Sequence, residues 1–569
     1  MQTTKAYKAA SPQQTVDRIR QIIARLSLPV KEQLLGDGRL CCSCRISITR
    51  TDDFSIGTNG KGMTQDYALA SGYAEFMERY QHRVIVYPNP AAEGAACRFF
   101  PDETDFRWPT KEKIVEQVKK FSPSTLPAEG IEADSLEGKE IPFFHLNSGK
   151  VVPVPYSLIR WVSGSNGMSA GNILEEALIQ GFCEIFERHA LQQLYLRQLV
   201  PPTIPEAEFE GTDILRRLRT MQAEHGMDFS IKDLSLGEGF PVLGLLVFSP
   251  DHAKYILQLG ADLSPVIALE RCFTEIFQGY TPSTLRFENQ VNACEKPDLF
   301  NEFKRSLTYG RGRLHREFFT SAPSYAYCGH TTIPVGRNFR EDLNNICQWV
   351  MQKGYDIYLR DNSFLGFPAT HLVVPGLSEI DKTFCRLNRR IRHMTLTENR
   401  PNPLFRLREL TAETAPLLTR YIEQTDGEAI DLFTRNTHPG NHVNRRLLLV
   451  LLHLRQNHRE AAREQLERYC EEQRAQNRMV KPLLQALLLR LGGRPDNQPD
   501  ERLLQAADDL LARPERIFHA IPVPECFHCD RCALSRGCRY PLLREIEEIT
   551  QTAMRTYPFR QNHLASLFS

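Results

Sequence analysis

The residues best suited to chemistry stand in three polar triplets at one spacing. In SNGMSAGNILEEALIQGFCEIFER, Ser165 to Arg188, the residues Gln180, Glu184 and Glu187 lie at i, i+4 and i+7. Ser71, Glu75 and Glu78 repeat that spacing in ALASGYAEFMERY, and Arg271, Glu275 and Gln278 repeat it in ALERCFTEIFQG. On a helix this spacing gathers three side chains on one face, and Glu176 joins the second triplet from one turn earlier. Arg79 and Arg188 follow the last glutamate in two of the three. Converged in space, Glu75, Glu78, Glu176, Glu184, Glu187 and Glu275 form a carboxylate cluster. Unpaired carboxylates repel one another and resist burial. A hard cation relieves both, and Mg²⁺ prefers oxygen ligands and commonly arrives with phosphates. Lys61, Ser71, Ser169, Asn172, Arg188 and Arg271 offer donors to those phosphates or their nucleotide. The chemistry suggested is an ATP–Mg²⁺ site built on helices. Thr58-Asn59-Gly60-Lys61-Gly62 resembles a phosphate-cradling loop in composition but lacks the Walker spacing. No Cys-His or Ser-His-Asp grouping is apparent, so no protein nucleophile is expected.

These residues need helices to position them. Asn172, with Glu175 three residues on, reads as a capping-box start, and Leu174, Leu178, Phe182 and Ile185 supply the apolar side of the helix that follows. Ser264-Pro265 reads as N-cap and N1 of the third helix. The Thr58–Gly62 stretch reads as a glycine-rich turn before the first. A helix over 15–28 and a strand over 40–49 precede them. Strands are expected at 151–154, 228–234, 241–248, 255–260, 356–361 and 370–374. Strands interspersed with long helices indicate an α/β (α+β) core. Residues 1–50 form its first helix and strand, and 51–403 the ATP-binding part, ending at Pro401-Asn402-Pro403. From 404 to 515 strand signals vanish, and a helical, repeat-like module is expected, of a kind that binds proteins or self-associates. Residues 516–569 form a cysteine-rich tail.

The chain has 569 residues, with 41% apolar and 24% charged, which describes a globular protein with ample core. Lys plus Arg is 70 and Asp plus Glu 69, so nothing global points to nucleic acid or an anionic membrane. The opening MQTTKAYKAASPQQ has no apolar stretch of the signal-peptide type, and no run is long enough to span a bilayer. A cytoplasmic location is expected. Most of the 15 cysteines are scattered among apolar residues, as buried thiols are. Cys41, Cys42 and Cys44 alternate along the first strand and read as structural. Cys526, Cys529, Cys532 and Cys538 are different, because thiolates at this spacing can converge on one metal. Zn²⁺ and an iron–sulfur cluster fit equally well.

Together the Ser71-x3-Glu75-x2-Glu78-Arg79, Ser169-x6-Glu176-x3-Gln180 and Arg271-x3-Glu275-x2-Gln278 patterns resemble the three ATP-binding motifs of the YcaO family. The TNGKG and SNGMSAGN runs and VVPGLSEI, Val373 to Ile380, are similar to the family as well, so the resemblance covers about residues 1–400. A helical, tetratricopeptide-like domain follows the core in a bacterial member; the cysteine cluster lies outside the pattern. The resemblance implies that Gln180 and Gln278 join the nucleotide contacts, as do Lys8 and Thr15 near the N-terminus. It implies O-phosphorylation of a peptide backbone amide by ATP and Mg²⁺, toward thioamidation or a related sulfur modification. It also implies two alternatives: an accessory factor for β-methylthiolation of a ribosomal protein, and an azoline-forming cyclodehydratase. Azoline-forming members typically end in Pro-x-Pro-x-Pro, and this chain ends HLASLFS. The expected partners are a peptide or protein substrate, a sulfur donor or methylthiotransferase, and a second copy of the chain in a homodimer.

Overall fold

The computed structural model describes residues 8–36, 38–51, 54–85, 98–124, 134–291, 298–380, 414–423, 429–431, 442–476, 478–514, 538 and 540–568. The chain opens with α1 (Pro12–Arg25), β1 (Val30–Leu35), β2 (Cys42–Thr51), β3 (Phe54–Gly62) and α2 (Gln65–Gln81). Next come β4 (Thr104–Trp108), α3 (Lys111–Phe121), β5 (Leu136–His145), β6 (Lys150–Val154), α4 (Tyr156–Val162), β7 (Met168–Ala170) and α5 (Leu174–Leu196). A third stretch holds α6 (Asp213–His225), β8 (Phe229–Asp233), β9 (Val242–Phe248), β10 (Lys254–Ala261), α7 (Pro265–Ile276), β11 (Asn289–Gln290), α8 (Leu299–Tyr309), α9 (Glu317–Thr320), α10 (Phe339–Gln352), β12 (Tyr358–Asp361) and β13 (Ala369–Val373).

The strands build three sheets, ordered β1-β2-β3, β11-β10-β9-β8 and β4-β5-β12-β13-β7, with β6 beside β5. The core is mixed α/β, as its sequence pattern indicates. Every recorded strand pair is antiparallel, so the arrangement is of the α+β kind. Short hairpins such as β2–β3 and β9–β10 require this pairing, because parallel neighbours need long crossovers.

Three apolar clusters fill the core. One packs α1, α2 and the six-stranded sheet, the second α5, α8, α10 and one face of β9 and β10, and the third α6, α7 and the other face of β9 and β10. Leu178, Phe182 and Ile185 of α5 are fully buried in the second, the side their helical spacing assigned them. Cys41, Cys42 and Cys44 are buried.

Beyond the core lie α11 (Thr414–Glu423), β14 (Ala429–Asp431), β15 (His442–Asn444), α12 (Arg445–Arg455), α13 (Arg459–Ala475), α14 (Pro482–Arg490) and α15 (Glu501–Ala512). The apolar faces of the helices form a separate cluster. The region is helical as expected, with the added β14–β15 ladder, too short to leave a periodic signal.

The last segment departs from the expected tail. Cys526, Cys529 and Cys532 lie outside the described residues, and Cys538 is half-buried. After them α16 (Tyr540–Arg555) and a 3-10 turn (Gln561–Leu567) return to the core. Ile546, Met554 and Phe559 enter the first apolar cluster, and Leu564 and Leu567 the second. Arg83, fully buried, pairs with Glu547 at 2.6 Å, which fastens α16 to the end of α2. Among the described residues no helix is long and apolar enough to cross a membrane.

Candidate ATP and magnesium site

Three strand–helix units of one design surround a cavity of about 900 Å³. Their sequences align without gaps from strand to helix. Ala68, Ala177 and Ala268 correspond, and the triplets then fall in register: Ser71, Gln180 and Arg271; Glu75, Glu184 and Glu275; Glu78, Glu187 and Gln278. A Cβ on Gly60 would lie 2.1 Å from the Ala68 carbonyl oxygen, and one on Gly260 would lie 2.3 Å from that of Ala268. The missing side chains let each helix lie directly on its own strand. Each helix also reaches the next unit's strand: α2 packs on β3 and β7, α5 on β7 and β10, α7 on β10 and β3. The ring closes, and the triplet faces of the three helices line its middle.

Local structure corrects three sequence expectations. Thr58–Gly62 is the end of strand β3, not a turn; its glycines serve helix packing. The cap of α5 is Ile173, so the helix starts beyond Asn172. Asn172 instead accepts from Thr15 Oγ1 at 2.9 Å and stands 3.4 Å from Glu176. Helix α7 starts at Pro265 as expected but ends at Ile276, so Gln278 lies just past it and donates to the Asn59 carbonyl at 3.0 Å.

Lys8, Thr15, Lys61, Ser71, Asn172, Gln180, Arg188, Arg271 and Gln278 all line the cavity, as do Glu75, Glu78, Glu176, Glu184, Glu187 and Glu275. Ser169 does not. Fully buried on β7, its hydroxyl lies 3.0 Å from Thr370 Oγ1 of β13 and holds the two strands together. It occupies the place that Gly60 and Gly260 take in the other units, so its role is to seat a helix. Arg79 lines the cavity beside the predicted residues. Its match to Arg188 across the repeat was the available signal.

The carboxylates do not stand bare. Lys61 pairs with Glu275, Arg188 with Glu184 at 3.0 Å, and Arg79 with Glu75 at 3.6 Å and Glu78 at 3.4 Å. Glu176 takes Lys8 Nζ at 3.6 Å and the Ala9 N–H at 2.9 Å, which anchors the start of the described chain to α5. Arg271 Nη1 donates to Gln180 Oε1 at 2.8 Å. Among the described residues no three His, Cys, Asp or Glu side chains stand close enough to hold one ion by themselves. Cations engage several of the glutamates, and the single tight cluster expected from spacing is not found among the described residues. Two buried oxygens, Glu78 Oε1 and Glu184 Oε1, face the Arg79 and Arg188 guanidinium groups but accept no hydrogen bond from the described residues. Buried carboxylate oxygens left in this way suit a divalent ion whose other ligands come from phosphates and water.

Electrostatics point the same way. Burial pushes the Glu78 carboxyl up to about 8, against the pull of Arg79. Glu187 is raised too, again by burial, against Arg271 and Lys61. Burial pulls the Lys61 ammonium down to about 8. Its surface keeps 29% exposure, opening on the cavity, and contact with Glu275 favours the charged form. Arg79 rises: burial works against it, but Glu78, Glu75 and Glu184 outweigh burial. Strained protonation states concentrated in one cleft mark functional sites.

A family model described as YcaO cyclodehydratase, ATP- and Mg²⁺-binding, matches residues 59–378, more than half of the chain. The chain belongs to the YcaO family. Residues 59–378 are accordingly an ATP- and Mg²⁺-binding domain of the YcaO type, and the ring of three units falls within it but for the first residues of β3. Curated YcaO relatives include the ribosomal protein S12 methylthiotransferase accessory factor YcaO of Escherichia coli, 27% identical over 351 residues, which are 57% of each chain. An uncharacterised protein of Methanothermobacter thermautotrophicus is 27% identical over 349 residues, 58% of this chain and 84% of its own. The match thus spans little more than half the length of the E. coli relative. Among solved structures, a heterocyclase in complex with substrate and cofactor aligns with a TM-score of 0.48 and 19% identity, over 65% of this chain and 53% of its own. YcaO from Methanopyrus kandleri bound with AMPPCP and Mg²⁺ aligns with a TM-score of 0.40 and 18% identity, over 67% and 95%.

Proposed function

We propose that this cavity uses ATP and Mg²⁺ to phosphorylate the oxygen of a peptide backbone amide, toward thioamidation or a related sulfur modification. The observation that carries the reading is that buried carboxylate oxygens of Glu78 and Glu184 face Arg79 and Arg188 around one cavity without accepting a hydrogen bond from the described residues. With phosphates and water completing the coordination, Glu75, Glu78, Glu184 and Glu187 would hold Mg²⁺. Lys61, Arg79 and Arg188 would then turn from the glutamates, and Arg271 from Gln180, to the phosphates. Mg²⁺, when bound, screens phosphate charge and stabilises it during transfer. The protein's own part is to position the reactants and supply fixed charge, which is most of what phosphoryl transfer asks of it. Orienting a weak nucleophile such as an amide oxygen is where a rigid helix ring contributes. Once phosphorylated, that oxygen leaves as phosphate when a sulfur nucleophile attacks the carbon. The products are ADP, phosphate and the thioamide. With amide ¹⁸O-labelled substrate, the label is expected in the released phosphate. Label kept in the peptide product, or cleavage to AMP and pyrophosphate, would rule the reading out.

A second reading is an accessory factor for ribosomal protein methylthiolation, favoured by the name of the E. coli relative. It predicts no converted peptide unless a methylthiotransferase is present. Azoline formation is the third, and it predicts loss of water from a Cys, Ser or Thr peptide with no external sulfur. Under each reading Cys526, Cys529, Cys532 and Cys538 form a separate zinc or iron–sulfur site, and the helical module offers a surface for a protein partner or a second copy.

A further inference from the structure

The geometry points to the free edge of strand β10 as the docking site of an extended polypeptide, which joins the four-stranded sheet as one more strand inside the cavity. In an antiparallel ladder, successive residues turn their N–H and C=O to alternate sides. At the two ends of the β9–β10 pair, the Lys254 carbonyl accepts from Ser249 and the Asp262 N–H donates to Pro241. Even-numbered residues of β10 therefore face β9. The Ala253 carbonyl accepts from Val291 on the opposite side, so odd-numbered residues face away from β9. Strand β11 covers that side only at Lys254 and Tyr255. Leu257 and Leu259 come next, and none of the described residues gives their main chain a partner there. Both residues line the same cavity as the three triplets.

Edge strands are normally blunted by proline, lysine or a covering loop, because they invite another strand. Ile256-Leu257-Gln258-Leu259-Gly260 carries neither proline nor lysine. Backbone groups left unpaired inside a protein are costly unless water or a ligand satisfies them. A second extended backbone matches the two-residue repeat of donor and acceptor, and strand addition of this sort is a recurring mode of peptide recognition. The same cavity is lined by Tyr309, 66% exposed, and Arg286, an exposed cation with no carboxylate partner among the described residues. They offer contacts to alternate side chains. The cavity, near the upper end of the usual range for one ligand, has room for a peptide beside a nucleotide. The role of the docked peptide as acceptor rests on the amide-activation reading; the docking itself does not.

Residue-resolved hydrogen exchange tests this on the full chain, with Mg²⁺ and a non-hydrolysable ATP analogue present. The probes are end-blocked peptides of mixed sequence, about six residues long, the usual length of a strand. In the protein alone, the amides of Leu257 and Leu259 should exchange faster than those of Ile256 and Gln258. Saturating peptide should slow the two by about tenfold or more, the equivalent of about one hydrogen bond. The same peptides N-methylated at alternate residues should not. Leu257 and Leu259 amides that no peptide slows would overturn the proposal. So would amides already slow without peptide, since another segment of this chain would then occupy the edge. Protection at both amides with no ¹⁸O transfer would refute amide phosphorylation and leave the docking site standing.

Discussion

Arg271 and Gln180 occupy the same place in two of the three repeated units, and their side chains meet across the cavity at 2.8 Å. That contact ties α7 to α5 at the first position of each triplet, so the glutamates one and two turns further along face a common space. Removing one of those glutamates should affect ligand binding and spare the fold. Glu78→Gln and Glu187→Gln are each expected to weaken Mg²⁺–ATP binding more than about tenfold, the scale of even an outer contact to a metal site. Titration calorimetry with a non-hydrolysable analogue, alongside circular dichroism, checks it; unchanged binding in both would remove the site assignment.

The raised carboxyl of Glu78 fixes a pH dependence. Its folded value, about 8, exceeds the ordinary 4.5. The site therefore holds a proton that the unfolded chain has lost, and the stability this contributes is full below about 4.5 and disappears as pH rises through about 8. A metal ligand must be deprotonated, so Mg²⁺–ATP affinity should climb between pH 6.5 and about 8 and proton release should accompany binding. Calorimetry in buffers of different ionisation enthalpy measures the protons released. Zero release near pH 7 contradicts a protonated Glu78.

Helix seating makes Gly60 and Gly149 behave differently. A Cβ on Gly60 meets backbone at 2.1 Å, whereas one on Gly149 meets nothing within 4 Å and only the left-handed φ of 65° resists it. Gly60→Ala should destabilise by about 3 kcal/mol or more, at the top of the range for overpacking, and Gly149→Ala by about 1–2 kcal/mol. The midpoints of thermal unfolding should rank accordingly, with equal midpoints contradicting the close packing of β3 on α2.

Arg83 and Glu547 join the C-terminal segment to the helix that carries Glu75 and Glu78. Glu547→Ala strands a buried guanidinium, which costs about 3–5 kcal/mol. Limited proteolysis should then cut near α16 much earlier than in the unaltered chain. Equal cleavage rates would show that the ion pair does not hold the segment.

The cysteine cluster is testable without reference to the ATP site. Anaerobically purified protein should contain zinc or iron by elemental analysis, and Cys526→Ser with Cys529→Ser should remove it while ATP binding persists. Metal-free wild-type protein would assign these thiols another role.

Local periodicity carried much of this site into the sequence. The i, i+4, i+7 spacing of Glu75 and Glu78, or Glu184 and Glu187, places them on one helical face whatever surrounds the helix, and strands β9 and β10 are legible from apolar β-branched and leucine runs for the same reason. Their convergence was inferred from three matching triplets, because chance repetition of the pattern is improbable. What stayed hidden depends on residues far apart in the chain. Gly60 looks like a turn residue until Ala68 is seen against it, and Ser169 looks like a phosphate ligand until Thr370 takes its hydroxyl. The ion pairs that engage the glutamates, the return of α16 to α2 and the open edge at Leu257 and Leu259 are likewise properties of neighbours brought together by folding. Only the tertiary structure sets them, since pairing and burial are decided by distance in space and not by spacing along the chain.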